Sequence, residues 1–150
     1  MRFIGIVAAF AAGLAAVAAT AQTTGSPAVY DMKGTWTGTR DNITDGATPQ
    51  ISASAQGSPA GTYRLTRVNL IYKIEGQDGR RFWGTISSDQ GGAPTRVIGS
   101  LSVDGKWIYM VGVIGYVDAQ VVDGDTIESC YRHTTAQSAT VGCDLMKRQK

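Results

Sequence analysis

The chain has 150 residues, with 14 Lys and Arg against 12 Asp and Glu, a formal net charge of +2. Its basic residues are scattered, so nothing in the charge pattern points to a nucleic acid or an anionic membrane as a partner. A single histidine, His133, excludes a multi-histidine metal site, and neither a nucleophile elbow nor a phosphate-binding glycine loop is present. We therefore expect no cofactor, no metal and no catalytic residues, which favours a protein that is not an enzyme.

The first 21 residues have the three parts of a signal peptide. Arg2 gives a short positive region, Phe3 to Ala19 form an uncharged apolar run, and Ala19-Thr20-Ala21 precede a cleavage point at Gln22. An uncleaved membrane anchor is the weaker alternative, because the run is short, rich in Ala and followed by a polar segment. We expect a periplasmic or secreted protein with no stable membrane insertion after cleavage.

The rest of the chain is expected to form one domain. Residues 22–31 form a flexible linker, and residues 32–150 are long enough to bury the core of a single β domain. Asn42 to Gly61 is rich in Gly, Ser, Ala, Pro and Thr, and we interpret it as a long loose connection over the mouth of a binding site. Within it, Gln50 to Ser54 is a candidate edge strand.

Strands are predicted from period-two alternation along the whole domain. The first runs from Lys33 to Arg40, with Trp36, Gly38 and Arg40 on one face. The second follows Tyr63 and aligns its apolar residues from Val68 to Ile74. The remaining predicted strands are Arg81 to Ile86, Arg96 to Val103, Lys106 to Ile114, Tyr116 to Val122, Thr126 to His133, and Thr140 to Lys147.

Asp-Gly pairs separate several of these strands. They occur at residues 45–46, 78–79, 104–105 and 123–124. Asp-Gly is a strong hairpin signal, because a two-residue type I′ turn requires positive φ at both central residues. The pattern predicts an all-β fold, an antiparallel up-and-down meander that closes into a seven- to eight-stranded β-barrel, since closure removes exposed edges. An open sandwich is the alternative.

Two cysteines, Cys130 and Cys143, lie on the last two predicted strands. In an exported chain a disulfide is the default expectation. If His133 pairs with Thr140 across the final turn, Cys130 faces Cys143 directly, and the bridge links the two strands of the last hairpin. His133 then lies at the hairpin end, where we expect it to be exposed and structural.

The strand predicted at Lys106 to Ile114 is apolar on both faces, whereas a barrel strand should have one face in water. A loop or the N-terminal segment covering the strand is one explanation. A homo-oligomer formed through this strand is the other. Trp107, Tyr109 and Val111 lie on one face of this strand, and Ile108, Met110 and Ile114 lie on the other.

Aromatic residues on different strands are the best indication of a ligand. A small barrel can hold one small molecule, and Tyr72, Trp83 and Trp107 would then form the wall of its pocket. For any one of these residues, ordinary core packing is the alternative. We expect an unknown small molecule as the partner.

Gly34-Thr35-Trp36 at the start of the first strand resembles the G-x-W signature of the calycin superfamily, which includes lipocalins, fatty-acid-binding proteins and avidins. The resemblance implies a barrel in which Trp36 closes the floor. It also implies that a basic side chain near the last strand, Lys147 or Arg148, caps the tryptophan.

Two segments are similar to avidin and streptavidin in particular. Lys33 to Thr37 resembles their opening strand, and Val141-Gly142-Cys143-Asp144 resembles a stretch of the streptavidin closing strand. By that resemblance Asp144 matches an aspartate that bonds the biotin ureido group and would contact the ligand here. The avidin positions two and six residues beyond the tryptophan hold polar biotin contacts, whereas this chain has Gly38 and Asn42, so the resemblance implies the barrel more than the ligand.

The function expected from these patterns is an exported small-molecule-binding barrel of calycin or avidin-like type. The alternative is a periplasmic protein-interaction module, such as a protease inhibitor on the same kind of barrel. In that case the segment Gln22 to Tyr30 would insert into the partner.

Overall fold

Strand pairing closes this chain into a barrel. The computed structural model describes residues 29–46, 59, 61–113 and 115–150. In this part of the chain each strand pairs antiparallel with the next, and β1 also pairs with β8. The strands are β1 Gly34–Gly46, β2 Tyr63–Asp78, β3 Arg81–Ser88, β4 Thr95–Leu101, β5 Trp107–Val111, β6 Tyr116–Asp123, β7 Thr126–Thr134 and β8 Ser138–Arg148.

The predicted all-β, antiparallel up-and-down barrel is therefore confirmed, with eight strands among the described residues. The predicted signal peptide at residues 1–21, most of the linker and the candidate strand Gln50 to Ser54 lie outside those residues. In the described ranges we find no helix that is long and apolar enough to cross a membrane.

β1 is longer than the sequence predicted. The expected strand ended at Arg40, but the observed one continues to Gly46, so residues 42–46 belong to the barrel wall and not to a loose connection. Asn42 pairs with Thr66 on β2 and with Gly142 on β8. Polar residues remain in strand conformation here because both neighbours supply hydrogen-bond partners for the backbone.

The strands are strongly staggered around the barrel. A row of directly paired residues that starts at Leu65 on β2 returns to β2 at Gly76, eleven residues further along. A large stagger means tilted strands and an interior wide enough for side chains or one small ligand. In order, the row contains Leu65, Ile43, Val141, Arg132, Tyr116, Val111, Ile98, Trp83 and Gly76.

One end of the interior is closed around Trp36, whose side chain is fully buried. Its indole Nε1 donates a hydrogen bond to the carbonyl oxygen of Met32 at 2.9 Å. The guanidinium of Arg148 lies over the ring, 4.2 Å from its centroid, as a cation–π contact. Trp36 thus closes the barrel floor, and Arg148, rather than the outward-facing Lys147, caps it.

Apolar side chains from every strand pack above this floor. Their alternation with exposed residues follows from the pleat, which sends successive side chains to opposite faces. The buried apolar residues are Met32, Trp36, Leu70, Tyr72, Ile74, Phe82, Val97, Leu101, Ile108, Met110, Val117, Ala119, Ile127, Tyr131 and Met146.

The three later Asp-Gly pairs do mark hairpins, but their predicted type I′ conformation is wrong. Positive φ occurs only at glycines among the described residues, so no aspartate adopts it. Asp78 is the last paired residue of β2, and the turn itself begins at Gly79. Asp104 and Asp123 instead accept a hydrogen bond from the backbone N–H two residues on, at 3.1 and 2.8 Å. Their role is that of a local side-chain cap on the turn.

The last hairpin has the predicted register. His133 pairs with Thr140 and Cys130 pairs with Cys143, and the two cysteines form a disulfide. The bond joins β7 to β8 on the outer side of the barrel. It lies next to the seam where β8 pairs with β1.

The disulfide should contribute measurably to stability. In the chain-entropy model, closing a loop of this length stabilises a protein by about 3 kcal/mol. We expect the double substitution Cys130→Ala and Cys143→Ala to lower the free energy of unfolding by about that amount while the barrel still forms. Urea denaturation of the oxidised protein and of the variant measures the difference, and equal midpoints would contradict the expectation.

Candidate ligand-binding site

A polar cluster lies in the middle of the barrel, surrounded by apolar side chains. Arg40 comes from β1, Tyr72 from β2, Ser129 from β7 and Asp144 from β8. All four are buried; Arg40 is 3% exposed and Asp144 6%. Where β1 meets β8, Thr37 pairs with Lys147 and Asp41 pairs with Cys143. This register brings Arg40 opposite Asp144.

One nitrogen of Arg40 makes all of the guanidinium's contacts in this cluster. Its Nη2 donates to the Tyr72 hydroxyl at 2.8 Å, to Ser129 Oγ at 3.3 Å and to Asp144 Oδ1 at 3.3 Å. Ser129 Oγ also donates to Asp144 Oδ1. Within the described residues, Nε of Arg40 and Oδ2 of Asp144 have no hydrogen-bond partner, although Oδ2 lies 3.3 Å from Nη2 as an ion pair.

At ordinary pH Arg40 is charged, whereas Tyr72 and the neighbouring Tyr131 are neutral. Burial alone would lower the pKa of Arg40, but Tyr72 and Asp144 together raise it above its usual value. Burial raises the pKa of Tyr72, although Arg40 opposes the shift, and it raises the pKa of Tyr131 to about 12. Tyr72 and Tyr131 are therefore available as hydroxyl donors.

A small cavity adjoins the cluster. Its volume is about 40 Å³, enough for a few water molecules. Arg40, Tyr72 and Tyr131 contribute its polar wall, and the rest is mostly apolar. The lining residues are Arg40, Leu70, Tyr72, Ile86, Thr95, Gly112, Val113, Gly115, Val117 and Tyr131.

A second polar network continues from Tyr131 toward the end of the β7–β8 hairpin. The Tyr131 hydroxyl lies 3.1 Å from Nδ1 of His133, and Nε2 of His133 lies 3.1 Å from Ser138 Oγ. His133 is 5% exposed, so the expectation of an exposed histidine is wrong. The reason is parity, because His133 lies two residues from Tyr131 and shares its inward face.

A wider depression, of about 520 Å³, opens at the same end of the barrel. His133 and Thr140, which point into the barrel, form part of its wall together with Tyr63 and Tyr116 from the outer surface. Its lining is mainly apolar. The depression therefore borders the outer end of the network that begins at Arg40.

The structure divides the predicted ligand-binding residues into two groups. Tyr72 and Asp144 meet in the central cluster. Trp83 and Trp107 do not form a wall of the interior, since they lie on the outer surface and are 48% and 42% exposed. Phe82 occupies the inward position beside Trp83, and the Trp83 ring covers Gly76 from outside, where an added Cβ would lie 2.2 Å from it.

Three residues of the site were missed as ligand contacts. They are Arg40, Ser129 and Tyr131. A signal for Arg40 was present, because it shares a face with Trp36 at a spacing of four along a strand. Ser129 and Tyr131 flank Cys130, which faces outward, so alternation along the strand places both of them inside.

No protein-family model matches this chain, and neither does any curated protein. A solved structure, that of the S-type phycobiliprotein lyase CPES from Guillardia theta, is similar over 79% of this chain and 89% of that one. The identity is 12% and the TM-score 0.33, a level that bears on neither ligand nor activity. Within the described ranges, no group of three or more His, Cys, Asp or Glu side chains could hold a metal ion.

The buried ion pair should be strongly coupled in stability. Asp144→Leu leaves the Arg40 cation buried without its counter-ion, which typically costs about 3–5 kcal/mol. Adding Arg40→Met should recover much of that loss, because the double variant buries no charge. Chemical denaturation of the two single variants and the double variant gives the coupling free energy, and additive effects would contradict a buried pair.

The position of His133 predicts a pH dependence. Burial lowers the pKa of His133 in the folded protein below the usual value of about 6.5. Below about pH 6.5 the unfolded chain therefore binds a proton that the folded chain does not. The stability that the neutral, buried His133 contributes is present above about pH 6.5 and is lost as the pH falls. His133→Gln should remove it.

The measurement is the difference in unfolding free energy between wild type and His133→Gln from pH 7.5 to 5.5. The advantage of the wild type should shrink toward acid pH. Parallel stability curves for the two proteins would show that His133 titrates normally in the fold.

Proposed function

We propose that this protein binds a small molecule inside the barrel and that Arg40 and Tyr72 hold a polar acceptor group of that molecule. The single observation behind the proposal is a buried guanidinium at the wall of a largely apolar cavity, with its contacts in the cluster made through one nitrogen. An acceptor such as a carboxylate or a carbonyl oxygen matches the remaining donors.

The energetics favour a functional role for this arginine. Replacing a buried ion pair by well-packed apolar side chains is often neutral or stabilising, so stability alone does not explain the presence of the pair. A charged group retained in an apolar interior, next to a cavity, is what recognition of a polar ligand group requires. In this arrangement Asp144 and Ser129 hold Arg40 in place, and Arg40 rather than Asp144 contacts the ligand.

The size of the cavity limits the ligand. A volume of about 40 Å³ admits only a few non-hydrogen atoms, whereas sites for drug-sized ligands have roughly 300–1,000 Å³. A larger molecule needs part of the cavity wall to move, and Gly112, Val113 and Gly115 are the lining residues that lie outside the strands. The N–H of Gly112 donates to the carbonyl oxygen of Gly115 at 3.0 Å. The apolar body of the larger molecule would then lie against Leu70, Ile86 and Val117.

We also propose that the protein is exported and that its barrel is of the calycin type. The signal-peptide pattern and the disulfide support a periplasmic or secreted protein, since disulfides persist in oxidising compartments. The eight-stranded barrel and the Trp36–Arg148 contact agree with what the resemblance to calycins implies. An avidin-like ligand has less support, because Asp144 is engaged by Ser129 and Arg40.

The protein-interaction alternative stays a prediction. The Tyr30 hydroxyl donates to the carbonyl oxygens of Asp123 and Gly124, at 3.0 and 3.1 Å, and Met32 is fully buried. The last residue of the Gln22 to Tyr30 segment is thus anchored at the closed end of the barrel. The part of the segment that inserts into a partner would then be residues 22–28, which lie outside the described residues.

Titration with simple carboxylates tests the proposal. Straight-chain acids from acetate to decanoate, each compared with the alcohol of the same length, should bind with a preference for the acid. Isothermal calorimetry or chemical-shift perturbation measures the affinities. If only the shortest acids bind, the cavity keeps its size, and if affinity rises with chain length, the interior opens to admit the longer chain.

The matched variants are the double substitution Arg40→Met with Asp144→Leu, which keeps the interior neutral, and Arg67→Met, whose side chain is 73% exposed on the outer surface. The first should weaken acid binding at least about tenfold, as expected for a lost charged hydrogen bond. The second should leave binding unchanged. Equal affinities for acids and alcohols, or no binding by the wild type, would refute the role of Arg40.

A further inference from the structure

Outward apolar side chains continue across four adjacent strands, from β3 to β6. One row of directly paired residues crosses these strands, from Trp83 through Ile98 and Val111 to Tyr116. These side chains are 40–61% exposed. Two more half-exposed aromatic residues follow along β5. We name this surface the aromatic face, and its members are Trp83, Ile98, Trp107, Tyr109, Val111 and Tyr116.

We propose that a second copy of this chain packs against the aromatic face. The two copies would be related by a two-fold axis that lies in the interface, parallel to the strands and between β4 and β5. A two-fold interface uses the same patch on both subunits, so the patch must be complementary to itself. The two rows of outward residues meet this requirement.

The first row reads the same from both ends. Its order is aromatic, aliphatic, aliphatic, aromatic. The proposed axis reverses the row in the partner copy, so that Trp83 meets Tyr116 at both ends and Ile98 meets Val111 in the middle. Aromatic pairs of this kind add stabilisation beyond the area they bury.

The neighbouring row carries opposite charges at its two ends. It runs from Arg81 through Ser100 and Tyr109 to Asp118. The same axis places Arg81 of one copy against Asp118 of the other, twice per dimer. Each group also has a partner in its own chain, Asp78 for Arg81 and Arg132 for Asp118, so the rim is balanced in charge and offers no field for an anionic surface.

The area is that of the apolar core of a dimer interface. With four aromatic side chains about half exposed, each offering roughly 100 Å², and two aliphatic ones, the face presents on the order of 500 Å² of apolar surface. A standard interface buries about 800 Å² per partner, of which about 57% is non-polar. The aromatic face therefore supplies about as much apolar area as one subunit of a stable dimer contributes.

Sedimentation velocity of the full mature chain over a range of concentrations tests the proposal. We expect the wild type to form a dimer. Ile98→Lys should raise its dissociation constant at least about thirtyfold, which is the loss of affinity typical of a change at a central interface residue. Leu65→Lys is the matched control, because Leu65 lies on the same outward row but on β2 and is 79% exposed. It should leave the dimer intact, and circular dichroism should show that both variants fold.

A monomer at every concentration, with the face covered by this chain's own segments, would overturn the proposal. So would a dimer that Ile98→Lys leaves unchanged. The orientation has its own test in Arg81→Glu, which should weaken the dimer, and in its combination with Asp118→Arg, which should restore it. If the combined variant is weaker than either single variant, the two groups do not face each other and the proposed axis is wrong.

Discussion

The pairing of β1 with β8 is the constraint on which the rest of this structure depends. It joins the two ends of the domain, turns an open meander into a barrel and removes the edges that would otherwise be exposed. The same register sets Trp36 opposite Arg148 at the floor and Arg40 opposite Asp144 in the middle. The Cys130–Cys143 disulfide lies beside it and holds β8 against β7. Structural closure and the polar centre thus arise from one set of strand contacts.

That arrangement explains why a charge can remain in the interior. A buried guanidinium is costly unless its partners are fixed, and three strands, β2, β7 and β8, supply them around Arg40. The Tyr131 ring lies 5.4 Å from the guanidinium carbon and connects the cluster to His133 and the open end. The interior therefore has an apolar floor, a charged middle and a polar network that reaches the mainly apolar depression at the outer end.

Much of the fold could be predicted from the sequence, because period-two alternation and turn residues determine antiparallel strands locally. The register of the last hairpin was predicted from a turn that pairs His133 with Thr140, and this register places Cys130 opposite Cys143, as observed. Where both faces of a strand are apolar, as in β5, alternation does not say which face points inward, and so Trp107 was assigned to the wrong side. Trp83 shares its face with Arg81 and Thr85, so its assignment to the interior went against the alternation. The extension of β1 past Arg40 and the inward position of His133 depend on pairing with distant strands, which local patterns do not contain. Asp144 and Tyr72 were placed correctly inside, but their shared partner Arg40 resembles a surface residue until the barrel closes.

The central claim is that the polar centre exists to bind a small molecule. Native mass spectrometry of the protein purified from its own host tests it most directly, since a retained ligand adds a defined mass that denaturation releases. We expect such a mass on the wild type and its loss in the double variant Arg40→Met with Asp144→Leu. A protein that carries no added mass, or a mass that persists in the double variant, would contradict it.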